Sequence, residues 1–254
     1  MMPRAKKQFG QNFLVDGSVV RKIVEAAGIV PGEAVLEIGP GTGVLTEALV
    51  AAGAKVTAVE ADHDLVAPLT EKFGDKIDLI EGDVLSLSDS LTLRLSDYKL
   101  VANIPYNITS DILNRFLTAA HPPSRMVLMV QREVADRIAA VPPDMSLLSV
   151  VCQLYADVSK VTNVPRGAFR PSPNVDSAVV RLDPKPSEHA ENVIRLAKVG
   201  FSSRRKQLHG NLAGPGVASS ASAKAALVAL GLPETARAEN LSVHNWIELR
   251  RLLY

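Results

Sequence analysis

The chain has 254 residues, 47% of them apolar, and a formal net charge of +1. That length suits one large core, or a domain with a smaller companion, and the composition excludes a disordered chain. No apolar run approaches the ~18 residues of a membrane span, and the basic, polar residues 1–11 lack the apolar segment of a signal peptide.

A single cysteine, Cys152, excludes an internal disulfide framework and any multi-cysteine zinc site. It lies in the apolar stretch Leu147–Tyr155 and reads as an inert core residue. The expectation is a soluble cytoplasmic protein. Charge is unevenly spread: from Pro184 onward ten Lys/Arg face five Asp/Glu, whereas the first 183 residues carry 18 against 22. Such a split fits a surface for a polyanion, and it fits a merely basic tail equally well.

Strand and helix patterns alternate through the first two-thirds. Ala34–Ile38 reads as a strand ending in Gly-Pro-Gly, and Val44–Ala52 as the helix after it. Lys55–Val59 is the next strand and Asp64–Phe73 the next helix, with Pro68 tolerated only in a first turn. Ile77–Ile80, Lys99–Ala102 and Met126–Val130 follow as strands, with helices over Ser110–Ala119 and Glu133–Ala140. This spacing predicts a parallel sheet with helices on both faces, whose strand-to-helix turns share the ligand-binding carboxyl edge. After Pro142 the pattern changes to a helix over Leu147–Tyr155 and strands over Ser159–Val164 and Ser177–Leu182, joined by the proline-rich loop Pro165–Pro173. Asp183–Ser187 reads as a linker. Beyond it come only helices, over Glu191–Phe201, Lys206–Leu212, Ser222–Leu230 and Val243–Leu253.

Glu37-Ile38-Gly39-Pro40-Gly41-Thr42-Gly43 lies between the first strand and its helix, where glycine permits a tight turn and close backbone approach to a ligand. Glu60 closes the second strand 21 residues after Gly39, placed to accept hydrogen bonds from two ribose hydroxyls. Both features suit a dinucleotide and S-adenosylmethionine alike. The spacing is G-x-G-x-G, however, whereas the dinucleotide pattern G-x-G-x-x-G sets a pyrophosphate on a helix N-terminus. S-adenosylmethionine carries no phosphate, and Glu37 suits its cationic methionine end. Asp83, after the third strand, is placed to accept from the adenine amine of such a cofactor, or serves simply as a turn aspartate.

Asn103-Ile104-Pro105-Tyr106 follows the fourth strand and has the chemistry of an amine methylation centre. The N6 amine of adenine is a poor nucleophile because its lone pair is delocalised into the ring. Hydrogen bonds from its two N–H groups to the Asn103 side-chain oxygen and a backbone carbonyl, that of Ile104, favour a localised lone pair. Pro105 stiffens the turn, and Tyr106 offers a face for a base, a contact worth ~1–3 kcal/mol. No strong base is needed, since positioning and electrostatics carry the rate.

In these residues the chain resembles the small-subunit rRNA adenine N6,N6-dimethyltransferases (the KsgA type), over nearly its whole length. Residues 7–14, 37–43, 60, 82–83 and 103–106 match the family's motifs in order, as do Val130–Arg137, Phe169–Ser177 and Phe201–Lys206. The resemblance implies a Rossmann-like class I S-adenosylmethionine-dependent methyltransferase with a mostly parallel seven-stranded sheet, in residues 1–184. A small all-α rRNA-binding domain would occupy residues 185–254. It implies cofactor contacts from Asn12, Leu14, Gly39, Glu60, Asp83 and Asn103, and Phe169 packed on the target base opposite Tyr106. Phosphate contacts would come from Arg204, Arg205 and Lys206, with Arg4, Lys6 and Lys7.

The implied substrate is a pair of adjacent adenines in the 3′-terminal hairpin loop of 16S rRNA in the 30S subunit, each methylated twice by a monomeric enzyme. Arg166 stands where the family usually has a second proline, and Asn174 where lysine is common. The alternatives are a 23S rRNA dimethyltransferase of the macrolide-resistance type, a non-catalytic assembly or transcription factor, and, more distantly, an NAD-dependent oxidoreductase. The five histidines show no metal-ligand spacing, and Trp246 fits the apolar rhythm of the last helix.

Overall fold

A computed structural model describes residues 5–6, 9–87, 90–95 and 97–254. The chain divides into two compact units, residues 1–135 with 157–184 and residues 136–156 with 185–254. The expected division assigned everything up to 184 to the first domain. The structure instead places segment 136–156 in the second unit, because its apolar residues Met145, Val150 and Leu154 share a core with Val193, Leu212 and Trp246.

The chain begins with β1 (Phe13–Leu14) and α1 (Gly17–Ala27). It continues through β2 (Ala34–Ile38), α2 (Val44–Ala51), β3 (Lys55–Glu60), α3 (His63–Phe73), β4 (Ile77–Glu81) and α4 (Ser90–Leu95). Then come β5 (Tyr98–Asn103), α5 (Thr109–Leu117), β6 (Arg125–Gln131), α6 (Arg132–Ile138) and α7 (Leu147–Tyr155). The strands β7 (Ala156–Val164), β8 (Phe169–Arg170) and β9 (Ser177–Pro184) follow.

Seven strands form one sheet in the order β4-β3-β2-β5-β6-β9-β7. The first five are parallel, and β9 runs antiparallel to β6. Residues such as Leu36, Val101 and Leu128 are wholly buried, as expected for central strands covered on both faces. Strand order proceeds from β2 to β3 and β4 on one side and to β5 and β6 on the other. The reversal between β2 and β5 opens a crevice at their carboxyl ends.

Helix α1 lies outside the expected elements, although its signals are present in the sequence. Asp16 caps it through Ser18 N–H, Gly28 ends it at φ 58°, and Val19, Val20, Ile23 and Ala27 form a buried face at helical spacing. Pro68 lies inside α3, beyond the first turn where it was expected. Asp64, whose carbonyl loses a partner there, and Pro68 are both exposed, so water can replace the missing bond.

In the second unit, α7 is joined by α8 (Ala190–Gly200), α9 (Leu208–Ala213), α10 (Ser220–Ala229) and α11 (Val243–Leu253). Ser146 and Ser242 open α7 and α11 with reciprocal capping bonds to Ser149 and Asn245. Trp246 is wholly buried against Phe201, with ring centroids 5.7 Å apart. Cys152 is also buried, and burial pushes its thiol up to about 12, so it is unreactive as a nucleophile. Among the described residues no helix is long and apolar enough to cross a membrane, and no cluster of metal-ligating side chains occurs.

Gly200 is required by packing. A Cβ there would lie 2.4 Å from Trp246 Cη2 and 2.9 Å from Leu208 Cδ1. Gly200→Ala should therefore destabilise the chain by about 1–3 kcal/mol and lower Tm by roughly 2–4 °C for each of them. Thermal denaturation checks this, with Gly210→Ala, where an added methyl meets nothing within 4 Å, holding or raising Tm.

Candidate active site

The carboxyl ends of β2, β3, β4 and β5, together with residues 9–14, enclose a cavity of about 390 Å3. Its floor is the glycine turn. Gly39, Gly41 and Gly43 have φ of 65°, 60° and 75°, which side-chain-bearing residues rarely adopt. The turn is fixed by its own amides: Gly39 N–H donates to the Val59 carbonyl at 2.9 Å, Gly41 N–H to Glu60 Oε2 at 3.0 Å, and Gly43 N–H to the Pro40 carbonyl at 2.8 Å. A Cβ at Gly39 would project into open space, and one at Gly41 would lie 3.2 Å from the Phe13 ring, so the turn's surface is bare backbone.

Three carboxylates line this cavity. Glu60 is 5% exposed, with Oε2 accepting from Gly41 N–H and Oε1 from Asp62 N–H at 2.9 Å. Two backbone donors hold the group rigid, and each oxygen keeps a lone pair for a hydroxyl donor. Burial raises its pKa, partly offset by those two bonds. Glu37 is 1% exposed, and its Oε2 finds no partner among the described residues. Burial pushes its carboxyl up to about 8, with the Glu60 charge adding to the rise. Thr46 hydrogen-bonds to the Glu37 carboxyl and opposes that rise, but a buried acid with one unpartnered oxygen beside a cavity still suits a cationic ligand group, and a nearby carboxylate with free lone pairs suits a ribose. The residues therefore fit S-adenosylmethionine. Asp83 is exposed and has a dual position: Oδ1 accepts from Leu85 N–H at 2.9 Å as a turn aspartate does, while the residue lines the cavity.

Residues 103–106 border the same cavity. Asn103 Nδ2 donates to the Asn12 carbonyl at 3.1 Å, which turns its Oδ1 the other way. Ile104 N–H donates to the Met129 carbonyl at 3.2 Å, tying the turn to β6. Tyr106 is half-buried, and its hydroxyl lies 2.7 Å from Ser177 Oγ at the start of β9. Burial raises the Tyr106 pKa, against a lowering by that hydrogen bond, so the phenol stays neutral. Ser177 belongs to a recognised motif, yet only the fold reveals its contact with Tyr106, 71 residues away.

Asn12, Leu14, Gly39, Glu60, Asp83 and Asn103 all line the cavity, as do Ile104, Pro105 and Tyr106. Phe169 does not. It was expected opposite Tyr106, but β8 pairs with β1, placing Phe169 across from Leu14, and its ring is wholly buried in the core of the first unit. Lys6 is likewise not a free phosphate ligand, since its Nζ lies 2.5 Å from both Asp62 Oδ1 and Asp64 Oδ2. Arg4 and Lys7 lie outside the described residues. Arg204, Arg205 and Lys206 are exposed on the turn between α8 and α9 in the second unit. Arg166 N–H donates to Asp176 Oδ1 at 3.2 Å, a bond that a proline could not make.

The sequence pattern of the family described as ribosomal RNA adenine dimethylase matches residues 2–253. The chain belongs to that family. Two relatives named ribosomal RNA small subunit methyltransferase A illustrate the similarity. That of Dehalococcoides mccartyi is 44% identical over 96% of this chain and 86% of its own, and that of Syntrophotalea carbinolica 40% over 100% and 98%. Among solved structures, a dimethyladenosine transferase from Plasmodium falciparum superposes with a TM-score of 0.80 at 28% identity, covering 93% of this chain and 95% of that one. The 23S rRNA methyltransferase ErmE superposes with a TM-score of 0.81 at 28% identity, covering 95% and 99%. The glycine turn is accordingly that of a methyltransferase fold and not of a dinucleotide oxidoreductase.

Glu37 makes stability depend on pH. Between its ordinary 4.5 and about 8 the unfolded chain carries it ionised while the folded chain holds it protonated. Stability contributed by this group therefore falls as pH rises through that window, by up to roughly 1.4 kcal/mol per pH unit. Glu37→Gln should flatten this part of the profile, as measured by thermal unfolding from about pH 5 to about pH 8. A wild-type slope no steeper than the variant's would contradict the burial of an acid there.

Proposed function

We propose that this protein dimethylates the N6 amines of two adjacent adenines in the 3′-terminal hairpin loop of 16S rRNA, within the small ribosomal subunit. It acts in the cytoplasm as a monomer, with S-adenosylmethionine as cofactor and a role in subunit biogenesis. When bound, the cofactor supplies an electrophilic methyl group. Asn12, Leu14, Gly39, Glu60, Asp83 and Asn103 hold it, with Glu37 beside its cationic end.

The observation that carries this reading is the orientation of Asn103. Its Nδ2 is committed to the Asn12 carbonyl, so Oδ1 is left to accept a hydrogen bond from the target amine. A second N–H of that amine goes to a backbone carbonyl of the turn, assigned to Ile104. Both bonds localise the nitrogen lone pair, and the proton released on methylation passes to solvent, because the methylated amine is strongly acidic. Tyr106, held through Ser177, supplies the stacking face. The target base must leave its own stack to reach this turn. The first unit carries the chemistry, and Arg204, Arg205 and Lys206 of the second neutralise rRNA phosphates.

A second reading, action on 23S rRNA, is favoured by the similarity to ErmE. Against it stand the relatives named for the small subunit, at 40% identity or more over nearly the whole chain. Mass spectrometry of rRNA fragments after incubation with immature 30S particles, or with 50S particles and naked 23S rRNA, separates the two. N6,N6-dimethyladenine confined to 23S fragments would sink the first reading. Asn103→Ala should abolish methylation of 30S particles while leaving the fold intact by circular dichroism. Ser177→Ala leaves the Tyr106 hydroxyl unpaired, a loss of about 1–3 kcal/mol, and should slow turnover roughly tenfold with cofactor affinity unchanged.

A further inference from the structure

Asp62 stands two residues beyond Glu60 and is 2% exposed. It caps α3 by accepting from Asp64 N–H at 3.1 Å, and its own N–H donates to Glu60 Oε1. The same carboxylate receives two side chains from the N-terminal segment, Lys6 Nζ at Oδ1, 2.5 Å, and Gln11 Nε2 at Oδ2, 2.7 Å. Lys6 N–H closes the arrangement by donating to Gln11 Oε1 at 2.8 Å. Burial would raise the Asp62 pKa, but the bonds from Lys6, Gln11 and Asp64 N–H outweigh it and the net shift is downward, so the carboxylate is charged at neutral pH.

Residues 9–14, tied to Asp62 through Gln11, form a strap beside the cavity. All six of these residues line it. Beyond Asn12 the strap is anchored by β1, where Phe13 pairs with Arg170 and Leu14 with Phe169. In between it lies against the reaction turn: a Cβ at Gly10 would lie 3.2 Å from Asn107 Oδ1 and 3.7 Å from Pro105 Cβ. Asn12 within this span orients Asn103.

We propose that Asp62 is a positioning residue that latches the strap, so that closure over the cofactor and orientation of Asn103 occur as one event. Lys6 is then a latch component and not an RNA ligand. With the latch broken, the strap lifts, the cofactor escapes sooner, and the Asn103 amide loses the carbonyl that aims it. The inference rests on the methyltransferase reading of the site.

Two variants of the full chain test it. Asp62→Asn keeps a good helix cap but removes the charge and one acceptor. Lys6→Met removes the clamp from the other side and leaves the cap untouched. Hydrogen exchange in residues 9–14 should accelerate in both. The dissociation constant for S-adenosylhomocysteine, read by calorimetry, should rise roughly tenfold and turnover on 30S particles should fall by a similar factor, as expected for a charge-assisted hydrogen bond. The double variant should be no worse than either single one.

Unchanged exchange and affinity in both variants would overturn the latch. So would a Lys6→Met effect confined to KM for rRNA with Asp62→Asn silent, which would restore Lys6 as a phosphate ligand. Strap exchange reads the latch without cofactor. A wild-type chain that binds no S-adenosylhomocysteine would therefore count against the methyltransferase reading separately.

Discussion

Everything at the site depends on the parallel pairing of β2 between β3 and β5. Ile38 lies opposite both Val59 and Ala102, so the residues that follow all three strands leave the sheet at one level. The chain then turns away to opposite sides of β2, leaving a crevice that the backbone itself does not fill. Gly39, Glu60 and Asn103, far apart in the sequence, become neighbours through this register alone. A slip of one residue in either pairing would turn Glu60 or Asn103 to the other face of the sheet.

Placing carboxylates at the end of a buried sheet has an energetic consequence. Glu60 and Glu37 are both buried, yet only Glu60 is bonded by backbone N–H groups. Glu37 keeps one oxygen without a partner and is held protonated by burial, a cost to folding that a cationic ligand group can offset by drawing out its charge, a division of stability against function common in binding sites. Residues 9–14 add a further wall to the cavity beside these carboxylates. Asp62 joins the two halves of the arrangement, touching Glu60 through its backbone and the strap through its side chain.

Much of the first unit is legible in the sequence because its parallel strands are largely apolar runs ended by Gly, a carboxylate or an amide. Helices α7 and α11 occur where the pattern places them, and both are opened by serine caps that stop them sharply. The four-residue run at 103–106 contains its own chemistry, and family membership agrees with it. Helix α1 is different in kind, for Asp16, Gly28 and the apolar spacing between them are all local signals. Phe169 is a case of a motif giving neighbourhood but not exposure. The run around it belongs beside the site, while its ring is drawn into the core by the β1 and β8 pair.

By itself the sequence determined the alternation of strands and helices, the chemical character of the turns that end them, and the family. These properties reside in short spans, where periodicity, glycine conformation and side-chain chemistry act locally. Only the tertiary structure decided that Ser177 holds Tyr106, that Asn12 aims Asn103, that Lys6 is spent on Asp62, and that residues 136–156 belong with the helical unit. Each of those joins residues distant in the chain. Strand register and core packing set such distances, and no local pattern records them.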